Sequence, residues 1–194
     1  AHVSTRDAVK VIREAKKSGL SITCDTAPPY FSLNESNLLT YNTAFKLSPP
    51  LRSEDDRLAI IEGIQDGTID AIASDHRARS KDTKAQPFSA ASVGASGIET
   101  LFSLTLDLVH KKIIDINKAI SFLTINPAKI FGIESPSLEE EKVADFIVFD
   151  ENEPHTIKKE NLKTSPTPFD GKKIHGKILA TFINGQVAFM NQIF

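Results

Sequence analysis

Tryptophan is absent from the 194 residues, and cysteine and methionine occur once each, as Cys24 and Met190. A single cysteine excludes an intrachain disulfide and a thiolate-rich zinc knuckle, and it points to a reducing compartment, with the cytoplasm as the expectation. Charge of one sign is lacking too: 23 Lys and Arg stand against 25 Asp and Glu, a formal net charge of -2. No polybasic stretch is available for a phosphate backbone or an anionic lipid surface, so no nucleic acid and no membrane partner is expected. Apolar runs such as Ala71-Ile72-Ala73 and Phe146-Ile147-Val148-Phe149 fall far short of the roughly 20 residues a membrane span needs. An initiator methionine, a basic n-region and a signal h-region are also missing. The chain opens on Ala1-His2-Val3-Ser4-Thr5 and reads as a piece of something longer.

What is present is a chain able to bury a core, with 40% hydrophobic residues. Ser4-Thr5-Arg6-Asp7 resembles a capping box and predicts a helix through Ala8, Val9, Ile12 and Ala15, with Lys16 and Lys17 at its negative end and Gly19 just beyond. Leu20 to Cys24 alternates and is β-branched, so a strand is expected, ended by Pro28-Pro29. The Asn/Ser/Pro-rich connection from Tyr30 to Pro50 is long, and long connections tend to be functional. Ser53-Glu54-Asp55-Asp56 caps a second helix carrying Leu58, Ile61 and Ile64 and stopped near Gly67; Ile69 to Ser74 is a second buried strand. Strands separated by helices predict a parallel α/β architecture.

After a polar loop running to Gly97, two apolar helices follow, one from Ile98 to Val109 and one opened by Asp115. Asn126-Pro127 predicts an N-cap with proline at the first helical position. From Val143 the pattern turns to strands, with Asn184-Gly185 as a hairpin signal between Lys177–Ile183 and Gln186–Met190. Residues 142–194 are therefore expected to form a small β unit appended to residues 1–141.

His2, just before a helix, and Asp75, just after a strand, are both expected at strand tips. In a (β/α) barrel, catalytic groups gather on that face. Imidazole nitrogen and carboxylate oxygen are good zinc ligands. Taken alone, a histidine before a helix is more often a capping or surface residue, and an aspartate ending a strand is commonly an N-cap or turn residue.

Seven ordered segments go further. His2-Val3-Ser4-Thr5, Pro49-Pro50-Leu51-Arg52, Asp66 through His76, Lys84-Ala85-Gln86-Pro87-Phe88, Gly97-Ile98-Glu99-Thr100, Asn126-Pro127-Ala128 and Thr167-Pro168-Phe169-Asp170-Gly171 follow one another over essentially the whole chain as in long bacterial dihydroorotases. The chain thus resembles the C-terminal portion of that amidohydrolase-superfamily type. The resemblance implies an α/β fold: the last strands and helices of a metal-dependent (β/α)8 TIM barrel over residues 1–141, and part of a small β-sandwich over 142–194. It implies that His2 is the metal-ligand histidine of the sixth barrel strand. Asp75 is then the aspartate of the eighth, both zinc ligand and catalytic acid/base in the reversible hydrolysis of dihydroorotate to N-carbamoyl-aspartate, a step of pyrimidine biosynthesis. The binuclear zinc site of the family takes its other ligands from upstream of His2, so the chain alone is expected to be inactive. Its expected partner is the missing N-terminal half or further copies of itself.

Several substrate-side positions depart from the family's pattern. Ser48 stands in place of Asn, and Arg77-Ala78-Arg79 in place of Ala-Pro-His. Pro28-Pro29-Tyr30 stands in place of Pro-His-His, and Ala91-Ser92-Val93-Gly94 in place of Ala-Pro-Phe-Gly. Ser48, Arg79, Val93 and Gly94 are therefore the candidate substrate-binding residues. Ser48 lacks the amide for a bidentate contact. Arg79 either holds a substrate carboxylate or is, with Arg77, a solvated loop charge. His76 is expected to point away from Asp75, and His110, His155 and His175 to be structural or surface residues. Two alternatives follow: a non-catalytic scaffold, for instance for aspartate transcarbamoylase, or a hydantoinase-like or allantoinase-like amidohydrolase with a changed substrate.

Overall fold

The computed structural model describes residues 1–135, 137–164 and 166–191. Pro136 lies outside the described residues, as do Ser165 and residues 192–194, which fall within the range expected for the appended β unit. In chain order the elements are α1 (Arg6–Lys17), β1 (Asp25–Thr26), α2 (Pro28–Ser32), α3 (Glu54–Asp66), β2 (Ala71–Ile72), α4 (Lys81–Lys84), α5 (Leu101–His110), α6 (Ile116–Leu123), α7 (Ile125–Phe131), β3 (Phe146–Thr156), β4 (Lys173–Ile183) and β5 (Gln186–Met190). Short 3-10 turns at Glu35–Thr40 and Thr43–Phe45 fill the long connection after α2.

α1 forms where the pattern predicts it, but its cap sits one residue later. The Thr5 side chain accepts from the Ala8 N–H, while Ser4 is buried and Asp7 lies in the first turn, where it meets the positive end of the dipole. Ser53 does cap α3, in a reciprocal box with Asp56, and Gly67 closes that helix with φ 81. The buried face of α3 is Ala59, Ile60, Gly63 and Ile64, whereas Leu58 is 43% exposed. The face is rotated because α3 packs against both α1 and α2. A single helical stripe cannot reveal two neighbours.

β1 and β2 pair in parallel, Asp25 with Ala71 and Thr26 with Ile72. The strand expected at Leu20–Cys24 is displaced to Asp25–Thr26, and Leu20 and Ile22 are 60% and 38% exposed. The ladder exists only where a partner lies alongside, and β2 is likewise shorter than the expected Ile69–Ser74. On the other side of β1, the Val3 N–H donates to the Asp25 carbonyl at 2.8 Å. The core beneath comprises Val3, Val9, Phe31, Ile60, Ile64, Ile69, Ile72, Leu108 and Phe122.

α5 and α6 are buried as expected, with Asp115 capping α6. α7 begins at Ile125 rather than after Asn126; the Asn126 Nδ2 instead donates to the Asp70 carbonyl at 2.8 Å and ties α7 to the start of β2. β3, β4 and β5 form an antiparallel sheet joined at one end by the Asn184-Gly185 turn, both residues at positive φ, as a type I′ hairpin requires. β3 runs on to Thr156 and β4 starts at Lys173, four residues before the expected start, across register shifts that break the hydrophobic alternation. This sheet packs on α5, where Leu104 of the helix and Ile174 of β4 share a buried cluster with Ile157 and Phe169 from the connection between β3 and β4.

Candidate metal centre and substrate loops

His2 and Asp75 are brought together. Both lie in the left-handed region, at φ 56 and φ 44, Asp75 three residues beyond the end of β2. Non-glycine residues occupy that region only where the surroundings hold them there. The His2 Nε2 lies 3.5 Å from the Asp75 Oδ1, and the Asp75 side chain is 8% exposed.

Asp25, at the start of β1, fixes the imidazole. One of its oxygens accepts from the His2 backbone N–H at 2.8 Å and from the His2 Nδ1 at 2.9 Å. A carboxylate at that distance accepts a proton from Nδ1 and turns the Nε2 toward Asp75. The Nε2 and the Asp75 oxygen then face each other with room for a proton or a cation between them. Two ligands at tetrahedral zinc bond lengths stand about 3.3 Å apart, close to the 3.5 Å observed. A carboxylate behind a histidine ligand is the usual support of a metal site. The donor set therefore fits one side of a zinc site. Among the described residues no group of three or more His, Cys, Asp and Glu side chains is placed to hold a metal ion.

The second oxygen of Asp75 has a different neighbour. Tyr30, 3% exposed in α2, directs its hydroxyl to the Asp75 Oδ2 at 3.1 Å and to the Pro49 carbonyl at 3.0 Å. Burial raises the Tyr30 pKa, and the negative charge of Asp75 and the hydrogen bond to it raise it further, so the phenol stays protonated. It serves as a donor.

Ser48 is exposed at the cis Ser48–Pro49 bond, next to the Pro49 carbonyl that Tyr30 contacts. Arg79 is exposed, and its Nε donates to the Val93 carbonyl at 2.8 Å. Gly94 has φ 114, and a Cβ there would stand 2.6 Å from the Arg77 Cβ, so this loop closes only with glycine. The His76 Nδ1 turns onto the N–H groups of Gly97 and Ile98, at 3.4 and 3.3 Å, rather than into the site. His110 lies 4.6 Å from His175, ring to ring, on the α5–β4 seam.

Asp25 and Lys84 are functional candidates that the sequence pattern does not point to, and Tyr30 stands out in it only as a departure from the family's Pro-His-His. A signal for Asp25 existed: like Asp75, it is a carboxylate immediately following a segment expected as a strand. Lys84 opens one of the seven ordered segments, but nothing local showed that its side chain would be buried.

The amidohydrolase family matches residues 1–188. A dihydroorotase of Anaplasma phagocytophilum (strain HZ) is 40% identical over 190 residues, covering 97% of this chain and 42% of the relative. A dihydroorotase of Desulforapulum autotrophicum is 40% identical over 195 residues, covering 100% of this chain and 46% of the relative. Among solved structures, an L-hydantoinase (dihydropyrimidinase) from Arthrobacter aurescens superposes with a TM-score of 0.90 at 25% identity, over 97% of this chain and 44% of that one. The chain spans less than half the length of these relatives. Among the described residues no helix is long and apolar enough to cross a membrane.

Proposed function

The chain belongs to the amidohydrolase family, and on that premise we propose that it is the C-terminal part of a zinc-dependent cyclic amide hydrolase of the dihydroorotase type. In this reading residues 1–141 complete the barrel and residues 142–194 supply part of a small β-sandwich. The cytoplasm is its compartment. The observation that carries the reading is the facing pair His2 Nε2 and Asp75 Oδ1, 3.5 Å apart, with Asp25 behind the imidazole.

His2 and Asp75 would hold zinc together with ligands from the remainder of the full-length protein. When bound, zinc lowers the pKa of a water and polarises the ring carbonyl. Asp25 holds the His2 ring in the tautomer that keeps Nε2 free. Asp75 takes the proton of the attacking water at its carboxylate and returns it to the leaving amide nitrogen, first base and then acid. Tyr30 fixes the rotamer of that carboxylate from its other oxygen. Ser48, Arg79, Val93 and Gly94 form the substrate side.

A second reading has a specific observation in its favour. Ser48 cannot supply the amide contact, and Arg79 is tied to a loop carbonyl, which suits a cyclic amide other than dihydroorotate, of the hydantoin or allantoin kind. Metal analysis of the full-length protein with a dihydroorotate hydrolysis assay separates the readings. Stoichiometric zinc with turnover supports the first. Zinc without turnover favours the second. Absence of both would overturn the two enzyme readings and leave a scaffold, for instance for aspartate transcarbamoylase.

A further inference from the structure

Lys84, the last residue of α4, is 5% exposed. A buried ammonium is costly unless it is paired or fully hydrogen-bonded. Among the described residues no carboxylate pairs with Lys84. Its Nζ donates instead to the Ser92 carbonyl at 2.9 Å and lies 3.5 Å from the Lys46 carbonyl. Burial pulls its pKa down to about 8, and the neighbouring cations Lys46 and Arg79 add to the effect.

The two carbonyls belong to the two segments that flank the candidate substrate side. Lys46 stands two residues before Ser48, and Ser92 immediately precedes Val93-Gly94. The Gly94 N–H closes the same junction by donating to the Lys46 carbonyl at 2.9 Å. The backbone of Lys84 is anchored in turn, since the Thr43 Oγ1 donates to its carbonyl at 2.6 Å. Leu47 and Ala95, each one residue beyond that junction, line a small pocket together with Asp75, Pro29 and Gly97. The spacing of these segments therefore shapes the wall beside the carboxylate.

We propose that Lys84 is a positioning residue whose ammonium ties the Lys46–Ser48 segment to the Ser92–Gly94 segment and so sets the width of the substrate side of the site. An apolar residue would bury as well but would leave the Ser92 carbonyl without its donor. The kinetic consequence rests on the hydrolase reading above; the structural one does not.

The test is Lys84→Met in the full-length protein. The expected result is a rise in KM for dihydroorotate of about tenfold with kcat within about threefold of wild type, since the tie acts on binding and not on the proton transfer. Zinc content stays unchanged, and hydrogen-exchange protection of the Gly94 amide falls by about tenfold. Unchanged KM together with unchanged Gly94 protection would overturn the proposal, as would a loss confined to kcat and zinc content. If the wild-type protein does not hydrolyse dihydroorotate, the hydrolase reading fails, and Gly94 exchange still decides the matter: lowered protection supports the tie and unchanged protection refutes it. Should Lys84→Met not fold, Thr43→Val removes the anchor of the Lys84 backbone, and the same shifts are expected at smaller amplitude; their absence in that variant counts against the proposal.

Discussion

The His2 Nε2 and the Asp75 Oδ1 face each other at 3.5 Å, while the opposite nitrogen of the same imidazole is held by Asp25 at 2.9 Å. The imidazole thus stands between two carboxylates, one at each ring nitrogen, with Asp25 holding its orientation. Asp25→Ala releases the ring from its tautomer and orientation. In the full-length protein, zinc affinity is expected to fall by about 10- to 100-fold, measured by chelator competition. Unchanged affinity would mean that Asp25 does not support the ligand.

Asp75→Asn keeps the shape of the side chain and its contact with Tyr30 but removes the proton acceptor. A loss of about 10²- to 10⁴-fold in kcat is expected in the full-length enzyme. Steady-state kinetics at saturating substrate check it. A variant within a few-fold of wild type would remove Asp75 from the acid/base role.

Tyr30→Phe deletes a buried donor to a carboxylate oxygen. Leaving that oxygen without its partner is expected to cost about 1–3 kcal/mol of stability, read from urea unfolding of the chain. Zinc affinity is expected to be less sensitive than to Asp25→Ala, because Tyr30 touches the oxygen that faces away from His2.

Gly94→Ala places a Cβ 2.6 Å from the Arg77 Cβ at φ 114. The loop must open or strain, at a cost of roughly 1–3 kcal/mol. Thermal unfolding that is indistinguishable from wild type would show that the loop adapts freely.

Lys84 gives a pH dependence whose sign follows from linkage. Its folded-state pKa of about 8 lies below the ordinary 10.5, so between these values the unfolded chain binds more protons than the folded one. Stability from this group therefore rises with pH through that window. Tyr30, with its raised pKa, and Cys24, raised by burial, act in the opposite direction. The informative quantity is thus the stability of wild type minus that of Lys84→Met, which should increase between pH 8 and 10. A flat difference would mean that the ammonium is not held at a cost.

The sequence by itself determined the elements whose causes are local. The caps of α3 and α6, the Gly67 stop and the Asn184-Gly185 turn depend on a few neighbouring residues, and the ordered segments identified the family. Asp75 was legible as a residue just beyond a strand for the same reason. Only the tertiary structure decided where the strands pair, because β1 and β2 exist as strands only where each finds the other; hence the strand expected at Leu20–Cys24 lies at Asp25–Thr26. Likewise it decided which face of α3 is buried, since two neighbours compete for it. It also decided the chemistry around the two expected ligands. Asp25 reaches His2, Tyr30 reaches Asp75 and Lys84 reaches Ser92 through contacts between segments, and no local pattern encodes which distant group a side chain will meet.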